Sequence, residues 1–321
     1  MSTTIRFHKY GGPEVLQVED DQVGEPGPGQ VRLRQEAVGV NFIDTAFRQG
    51  IFPVPLPSVA GVEGAGVVDA VGAGVVGFRV GDRVAYYLAP GSYAAVRLID
   101  AGALLKVPDD LSSEQVVTVL TKGLTAWAGL HGFHPLKAGE TVLVQAGASG
   151  VGVAAIQLAK HAGATVLATA SSDERLEALK PLGLDHGINY KTSDVVNSVM
   201  KLTNNKGVNL VVDSVGGSTL QGSILSLAYR GRVSMVGAAG REPMNVDVSS
   251  LMGGNRSLSG VFLGAEIGTD RAYNNIQRLI NEAAAGTYKV VIDKTFPLSE
   301  AAAAHAYIES RQAVGRVLLI P

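Results

Sequence analysis

The chain contains no cysteine. That absence excludes disulfides, thiolate nucleophiles and every cysteine-ligated zinc or iron–sulfur centre. It leaves the redox compartment open, because a cysteine-free chain tolerates either state. Charge is also sparse and nearly balanced, with 17% charged residues and a net charge of −2. Nothing in that balance points to a nucleic acid or an anionic membrane as partner. Long hydrophobic runs are missing too. The longest mostly apolar stretch, 142–159, is broken by Gly147, Gly150 and Gly152 and by Gln145, Ser149 and Gln157, too often for a membrane span. The opening residues, Met1 to Arg6, lack the apolar core of a secretory signal, so a cytoplasmic location is expected. What remains is a globular composition, 46% hydrophobic over 321 residues, long enough for two domains.

The first third reads as β-rich. Ile5 and Phe7 alternate with Arg6 and His8, and Val31 and Leu33 with Arg32 and Arg34, the period of half-buried strands. The stretch from Gly61 to Val84 is dense in glycine and valine, which suits short, tightly bent strands of a curved sheet. From Gly139 the rhythm changes. Thr141 to Val144 predicts a compact strand, and Val151, Ala155, Leu158 and Ala162 then recur at helical spacing, with Gly163 as a stop. Further strands are predicted at 165–168, 187–190, 208–212, 232–236 and 258–262. Helical patterns between them indicate βαβ units and a mostly parallel sheet. A helix is predicted from Asp173 to Lys180, another from Asp270 to Ala285, and a third from about Ser299, as N-cap, to Arg311. The chain closes on an apolar strand, Val317 to Ile320.

The most informative local feature is the run from Gln145 to Gly152, Gln-Ala-Gly-Ala-Ser-Gly-Val-Gly. It leaves a predicted strand and opens a predicted helix. A dinucleotide pyrophosphate needs that geometry: a tight turn, close backbone approach, and free N–H groups at a helix N-terminus. Gly147, Ser149, Gly150, Val151 and Gly152 are therefore candidate cofactor-binding residues. About 20 residues on, NAD enzymes carry an acidic group for the ribose 2′-hydroxyl. Here the strand end offers Ser171, with Arg175 one helical turn later. A hydroxyl and a guanidinium suit a 2′-phosphate, so NADPH is favoured over NADH. The alternative is that Asp173 caps the helix and Arg175 is a solvated surface charge.

Several segments, in order, resemble the medium-chain dehydrogenase/reductase superfamily, and within it the quinone oxidoreductase (zeta-crystallin-like) branch. They are His8 to Leu16, Val40 to Thr45, Ala60 to Val68, Gly81 to Val84, Lys122 to Ala126, the loop above, and Asp213 to Gly217. The resemblance runs over essentially the whole chain. It implies an α/β protein with a discontinuous GroES-like β-rich catalytic domain, residues 1–122 with 263–321, and a Rossmann NADPH-binding domain of doubly wound parallel sheet, residues 123–262. It also implies a homodimer joined near Arg256 to Phe262, and a quinone or other conjugated carbonyl compound as substrate.

The resemblance further implies roles for particular residues. Asn41, Asp44 and Thr125 are expected nearest the reaction, with Asn41 and Phe42 beside the nicotinamide. A structural Asx turn is the plainer reading of Asn41 and Asp44. Val215, Gly237, Val261, Phe262 and Leu263 are expected along the nicotinamide. Ser171, Arg175, Tyr190 and Arg311 are expected around the 2′-phosphate. The alternative for Tyr190 is an amphipathic core-edge tyrosine, and for Arg311 a helix C-terminal charge favoured by the dipole. The branch often carries tyrosines at the positions of Ala46 and Phe52; their replacement implies a wider, more apolar pocket. Asn41 stands near a zinc-ligand cysteine position of related alcohol dehydrogenases, and Val62 replaces a histidine. Neither a catalytic nor a structural zinc is expected. An alkenal or enone reductase, and a non-enzymatic NADPH-binding protein, remain alternatives. A short-chain dehydrogenase is disfavoured because no tyrosine has lysine four residues on, and a serine hydrolase because Gly-x-Ser-x-Gly is not completed around Ser149.

Overall fold

A computed structural model describes residues 2–321. In chain order it opens with β1 (Ser2–Phe7), β2 (Gln17–Asp21), β3 (Gln30–Gly39), α1 (Phe42–Arg48), β4 (Ser58–Val59), β5 (Gly64–Val71), β6 (Arg83–Tyr86), β7 (Val96–Asp100), β8 (Leu105–Lys106) and α2 (Ser113–Val119). The middle of the chain carries α3 (Thr121–His131), β9 (Thr141–Val144), α4 (Gly150–His161), β10 (Thr165–Ala170), α5 (Asp173–Leu179), β11 (His186–Asn189), α6 (Val195–Leu202), β12 (Val208–Asp213), α7 (Ser218–Leu225), β13 (Leu227–Met235), α8 (Ser249–Met252) and β14 (Ser257–Gly260). The last part adds α9 (Asp270–Ala284), β15 (Ile292–Pro297), α10 (Ala301–Glu309) and β16 (Arg316–Ile320). The chain clusters into two compact units, one of residues up to Thr121 with Gly268–Pro321, the other Lys122–Ile267.

In the first unit, β3 pairs antiparallel with β5, β7 and β16, and a small sheet orders β2-β1-β4 beside it. Register shifts interrupt the β3–β5 pairing between Arg32 and Leu33 and between Gln35 and Ala37. Such irregularities bend a sheet, as the glycine-rich stretch predicts. The last strand, β16, lies between β15 and β3, so the two ends of the chain share one sheet.

In the second unit six parallel strands run in the order β11-β10-β9-β12-β13-β14. The central strands are covered on both faces, which is why Val142 to Val144 and Leu210 to Val212 are unbroken apolar runs with almost no exposure. Helix α4 starts on Ser149, whose hydroxyl accepts from the Gly152 N–H at 3.0 Å, and is followed by Gly163 at a left-handed φ of 78°. Its apolar face, with Val153, Ile156 and Leu158, is buried.

Most sequence-predicted elements stand within two residues of expectation. Two differ more. β13 begins at Leu227, five residues before the predicted Arg232, because parallel pairing with β12 reaches back to Val208. Ser299 does not cap a helix: it sits in a short 3-10 turn, Leu298–Glu300, and α10 starts at Ala301.

Candidate active site

The second unit gathers the residues predicted for a dinucleotide at the C-terminal ends of its parallel strands, the edge where doubly wound sheets bind ligands. The glycine-rich loop joins β9 to α4. Gly150 and Val151 are the first residues of that helix, so their N–H groups have no acceptor within it. The loop is tight. A Cβ on Gly152 would lie 2.4 Å from the Ala146 carbonyl oxygen, and one on Gly147 would lie 2.7 Å from Ala168 Cβ. Ala146 itself is held at a left-handed φ of 51°, a conformation a non-glycine residue adopts only when its surroundings fix it.

One strand over, Arg175 Nη1 donates to Ser171 Oγ at 3.1 Å, so hydroxyl and guanidinium converge at the end of β10. The Tyr190 N–H donates to the Ala170 carbonyl at 3.1 Å, which sets the backbone of this half-exposed residue at the end of β11, next to the end of β10. Val215 follows β12, and the Gly240 N–H donates to its carbonyl at 2.8 Å, drawing the segment after Gly237 against it. Val261 donates to the Met235 carbonyl at 2.8 Å. Phe262 is exposed and Leu263 buried. Thr125 is half-buried on α3. The loop suits a pyrophosphate, and the Ser171–Arg175 pair suits a phosphate monoester beside it.

The first unit holds the other predicted residues. Asn41 and Asp44 bracket the first turn of α1, with Phe42 at its head. The Asn41 N–H donates to Asp44 Oδ2 at 2.8 Å, and the Asp44 N–H donates to the Asn41 carbonyl at 3.1 Å. Both side chains are only 1% exposed, which places them beneath this turn. Ala46 is buried, and exposed Phe52 stands with its ring centroid 6.1 Å from that of Phe47. Arg311 follows α10, exposed and at a left-handed φ of 57°.

Around Asn41 lies a buried polar cluster that periodicity did not reveal. Asn41 Nδ2 donates to Glu63 Oε1 at 2.6 Å. Arg316 donates through Nη2 to the same oxygen, and through Nη1 to the Val40 carbonyl at 2.8 Å and to Asn41 Oδ1 at 3.3 Å. The second Glu63 oxygen accepts the Thr121 N–H at 3.0 Å. Burial pulls the Arg316 guanidinium down to about 10, which leaves it charged at neutral pH, opposite the Glu63 carboxylate.

A second chain of bonds reaches Asp44, and its direction is fixed. Arginine only donates, so Arg48 Nη1, 3.1 Å from His305 Nδ1, makes that nitrogen the acceptor. His305 Nε2 must then carry the proton and donate to Tyr93 Oη at 2.9 Å, and Tyr93 donates to Asp44 Oδ2 at 3.1 Å. Burial, reinforced by Arg48, lowers His305 to about 3, so it is neutral at physiological pH. The sequence signals were slight: an arginine heading the apolar strand Val317 to Ile320, and a histidine inside the alanine-rich 301–306 run.

Comparison with known proteins matches these features. Residues 27–109 fit the alcohol dehydrogenase GroES-like domain family and residues 150–296 the zinc-binding dehydrogenase family. The chain is 38% identical to a quinone oxidoreductase of Pseudomonas aeruginosa, over 100% of both chains. It belongs to the medium-chain dehydrogenase/reductase superfamily, in the quinone oxidoreductase branch. This medium-chain oxidoreductase also shares 42% identity with a 2-haloacrylate reductase of Burkholderia, over 98% of each chain. Its fold superposes on an Escherichia coli quinone oxidoreductase solved with NADPH at a TM-score of 0.94, with 35% identity, covering 99% of this chain and 100% of the other. The GroES-like fold and the parallel-sheet Rossmann fold expected from the sequence are both present.

One family name raises the question of zinc, and the donor set does not fit it. Among the described residues no group of three or more histidine, cysteine, aspartate or glutamate side chains is placed to hold a metal ion. Glu63, the one potential ligand left in the Gly61-Val62-Glu63 segment, has both oxygens engaged by Asn41, Arg316 and Thr121.

Proposed function

We propose that this oxidoreductase is a zinc-independent NADPH:quinone oxidoreductase, transferring hydride equivalents from NADPH to a quinone or related conjugated carbonyl compound. The observation that carries the cofactor reading is the Ser171–Arg175 pair one strand from the glycine-rich loop. Support comes also from the branch relatives and from the NADPH bound in the Escherichia coli neighbour.

When bound, NADPH supplies a hydride from C4 of its nicotinamide. The rest falls to this chain. The N–H groups of Gly150 and Val151 hold the pyrophosphate, while Gly147, Ser149 and Gly152 shape the turn beneath it. Ser171, Arg175 and Tyr190 would hold the 2′-phosphate. Val215, Gly237, Val261, Phe262 and Leu263 would flank the nicotinamide, with Thr125 as a hydrogen-bonding neighbour. Asn41 and Asp44 act through the α1 turn they hold, which orients the reacting face. A quinone carbonyl needs only weak polarisation and a proton, which water reaching the carbonyl supplies, so fixed geometry is the main requirement. Arg316 supplies the buried positive charge opposite Glu63, and no metal is required there.

A second reading has its own support. The 42% identity to a 2-haloacrylate reductase favours reduction of an activated carbon–carbon double bond on the same cofactor site. Steady-state NADPH oxidation with quinones, with conjugated enones and with 2-haloacrylate decides between them. Preference for quinones supports the proposal, and preference for an activated alkene replaces it. Tight NADPH binding with no turnover on either class makes the protein a binder. Stoichiometric zinc in the purified protein overturns the zinc-independent part.

A further inference from the structure

Beneath the strand ends of the second unit lies a chain of buried side-chain hydrogen bonds to which the proposed chemistry gives no role. It involves Gln145 after β9, Thr169 on β10, Asp213 at the end of β12 and Ser223 on α7, all 3% exposed or less. The Ala146 N–H donates to Thr169 Oγ1 at 3.0 Å, and Thr169 Oγ1 donates to Gln145 Oε1 at 2.8 Å. Gln145 Nε2 donates to Ser223 Oγ at 3.1 Å, and Ser223 Oγ donates to Asp213 Oδ2 at 2.8 Å. Asp213 Oδ1 accepts the N–H groups of Val215 at 2.8 Å and Gly216 at 2.9 Å.

The direction of this chain follows from proton counting. Ser223 has one hydroxyl proton, and the Asp213 carboxylate offers only acceptors, so Ser223 must accept from Gln145. The Gln145 amide is thereby fixed with Nε2 toward Ser223 and Oε1 toward Thr169. Thr169 in turn spends its proton on Gln145 and its lone pair on Ala146, the residue held at a left-handed φ in the glycine-rich loop. Every member has a single assignment, and reversing one link leaves two acceptors, or two donors, facing each other in a buried site.

We infer that Thr169, Gln145, Ser223 and Asp213 are positioning residues that set the glycine-rich loop and the Val215–Gly216 turn as one unit, so that order imposed at the adenosine end of the cofactor is passed to the turn expected beside the nicotinamide. The inference rests on the NADPH reading above. Its physical basis is that Ala146 and the Val215–Gly216 pair are the two backbone ends of one directed chain.

The test combines variants with a fragment that reaches only the adenosine end. Ser223→Ala and Thr169→Val are each expected to weaken NADPH about five- to tenfold. The double variant is expected to lose no more than either single one, because both break the same chain. Thr169→Ser keeps the hydroxyl and is expected to bind as the unaltered protein does. In the unaltered protein, 2′,5′-ADP is expected to slow amide hydrogen exchange across 214–217 several-fold, and this protection should vanish in Thr169→Val and persist in Thr169→Ser. A purely structural role leaves exchange at 214–217 unmoved by the fragment and makes the two losses add. Either result, with NADPH still bound by the unaltered protein, overturns the inference alone. If the unaltered protein binds neither NADPH nor 2′,5′-ADP, the cofactor reading falls and takes the inference with it. The exchange measurement on the unaltered protein decides the matter even if a variant fails to fold.

Discussion

Arg175 carries the sharpest prediction at the scale of one residue. Its guanidinium meets Ser171 Oγ at 3.1 Å, and a phosphate at the 2′ position would add charge-assisted bonds that a 2′-hydroxyl cannot. Arg175→Ala is expected to weaken NADPH by about ten- to a hundredfold while NADH changes by less than about threefold. Titration of both nucleotides checks it, and equal losses refute the 2′-phosphate role. Asp44 makes a different prediction. Its carboxylate accepts from the Asn41 N–H and from Tyr93, so it fixes the α1 turn without being exposed itself. Asp44→Asn is expected to lower kcat about tenfold, the equivalent of one well-placed hydrogen bond, with NADPH affinity within twofold. Unchanged kcat would reduce Asp44 to scaffold. The sequence pointed to both residues, but it could not show that Asp44 is buried. Burial depends on Tyr93 and His305, which are distant in the chain and gave no periodic signal.

Helix ends and strand ends set the next level. The loop from β9 into α4 has no room at Gly152, where a Cβ would meet the Ala146 carbonyl at 2.4 Å. Gly152→Ala is expected to displace the loop and abolish measurable NADPH binding, while melting shows the protein still folded. Retained affinity would mean that the loop is not the pyrophosphate site. Helices α1 and α10 are tied by Arg48 and His305, and this tie carries a pH dependence. His305 is lowered from 6.5 to about 3 by burial and by Arg48, so between those values the unfolded chain binds a proton that the folded chain refuses. Stability therefore falls as pH drops below about 6.5, by about 1 kcal/mol per pH unit from this group. Urea denaturation of the protein and of His305→Gln at pH 6.5 and 4.5 is expected to show a steeper loss in the former; parallel loss would sink the assignment. The elements themselves were mostly readable from periodicity and glycine positions. Ser299 was not a cap because the chain there closes a 3-10 turn first, a choice made by packing of Leu298 into the core.

At the scale of the whole molecule, strand β14 ends the six-stranded sheet. Its neighbourhood carries exposed apolar side chains, Tyr229 at 69% and Met252 at 80%. An unprotected edge beside such groups is a natural self-association surface. We propose a homodimer through it, as the family resemblance implies. Sedimentation is expected to give twice the chain mass, and Met252→Glu with Tyr229→Glu to shift it toward the monomer. A monomer before mutation refutes the interface. Among the described residues no helix is long and apolar enough to cross a membrane, consistent with the broken apolar runs in the sequence.

By itself the sequence determined those features that depend on neighbours along the chain. The βαβ rhythm, the glycine-rich loop and the Ser171 to Arg175 spacing are local patterns, and local backbone geometry reads them directly. The lack of cysteine is likewise final at the level of composition. Only the tertiary structure decided which polar groups are buried together. Glu63 with Arg316, Tyr93 with His305, and Gln145 with Ser223 are brought within hydrogen-bond reach across 78 to 253 positions of chain. A buried polar group is stable only when each donor finds an acceptor, and that pairing is settled by how sheets and helices pack, not by spacing in the sequence.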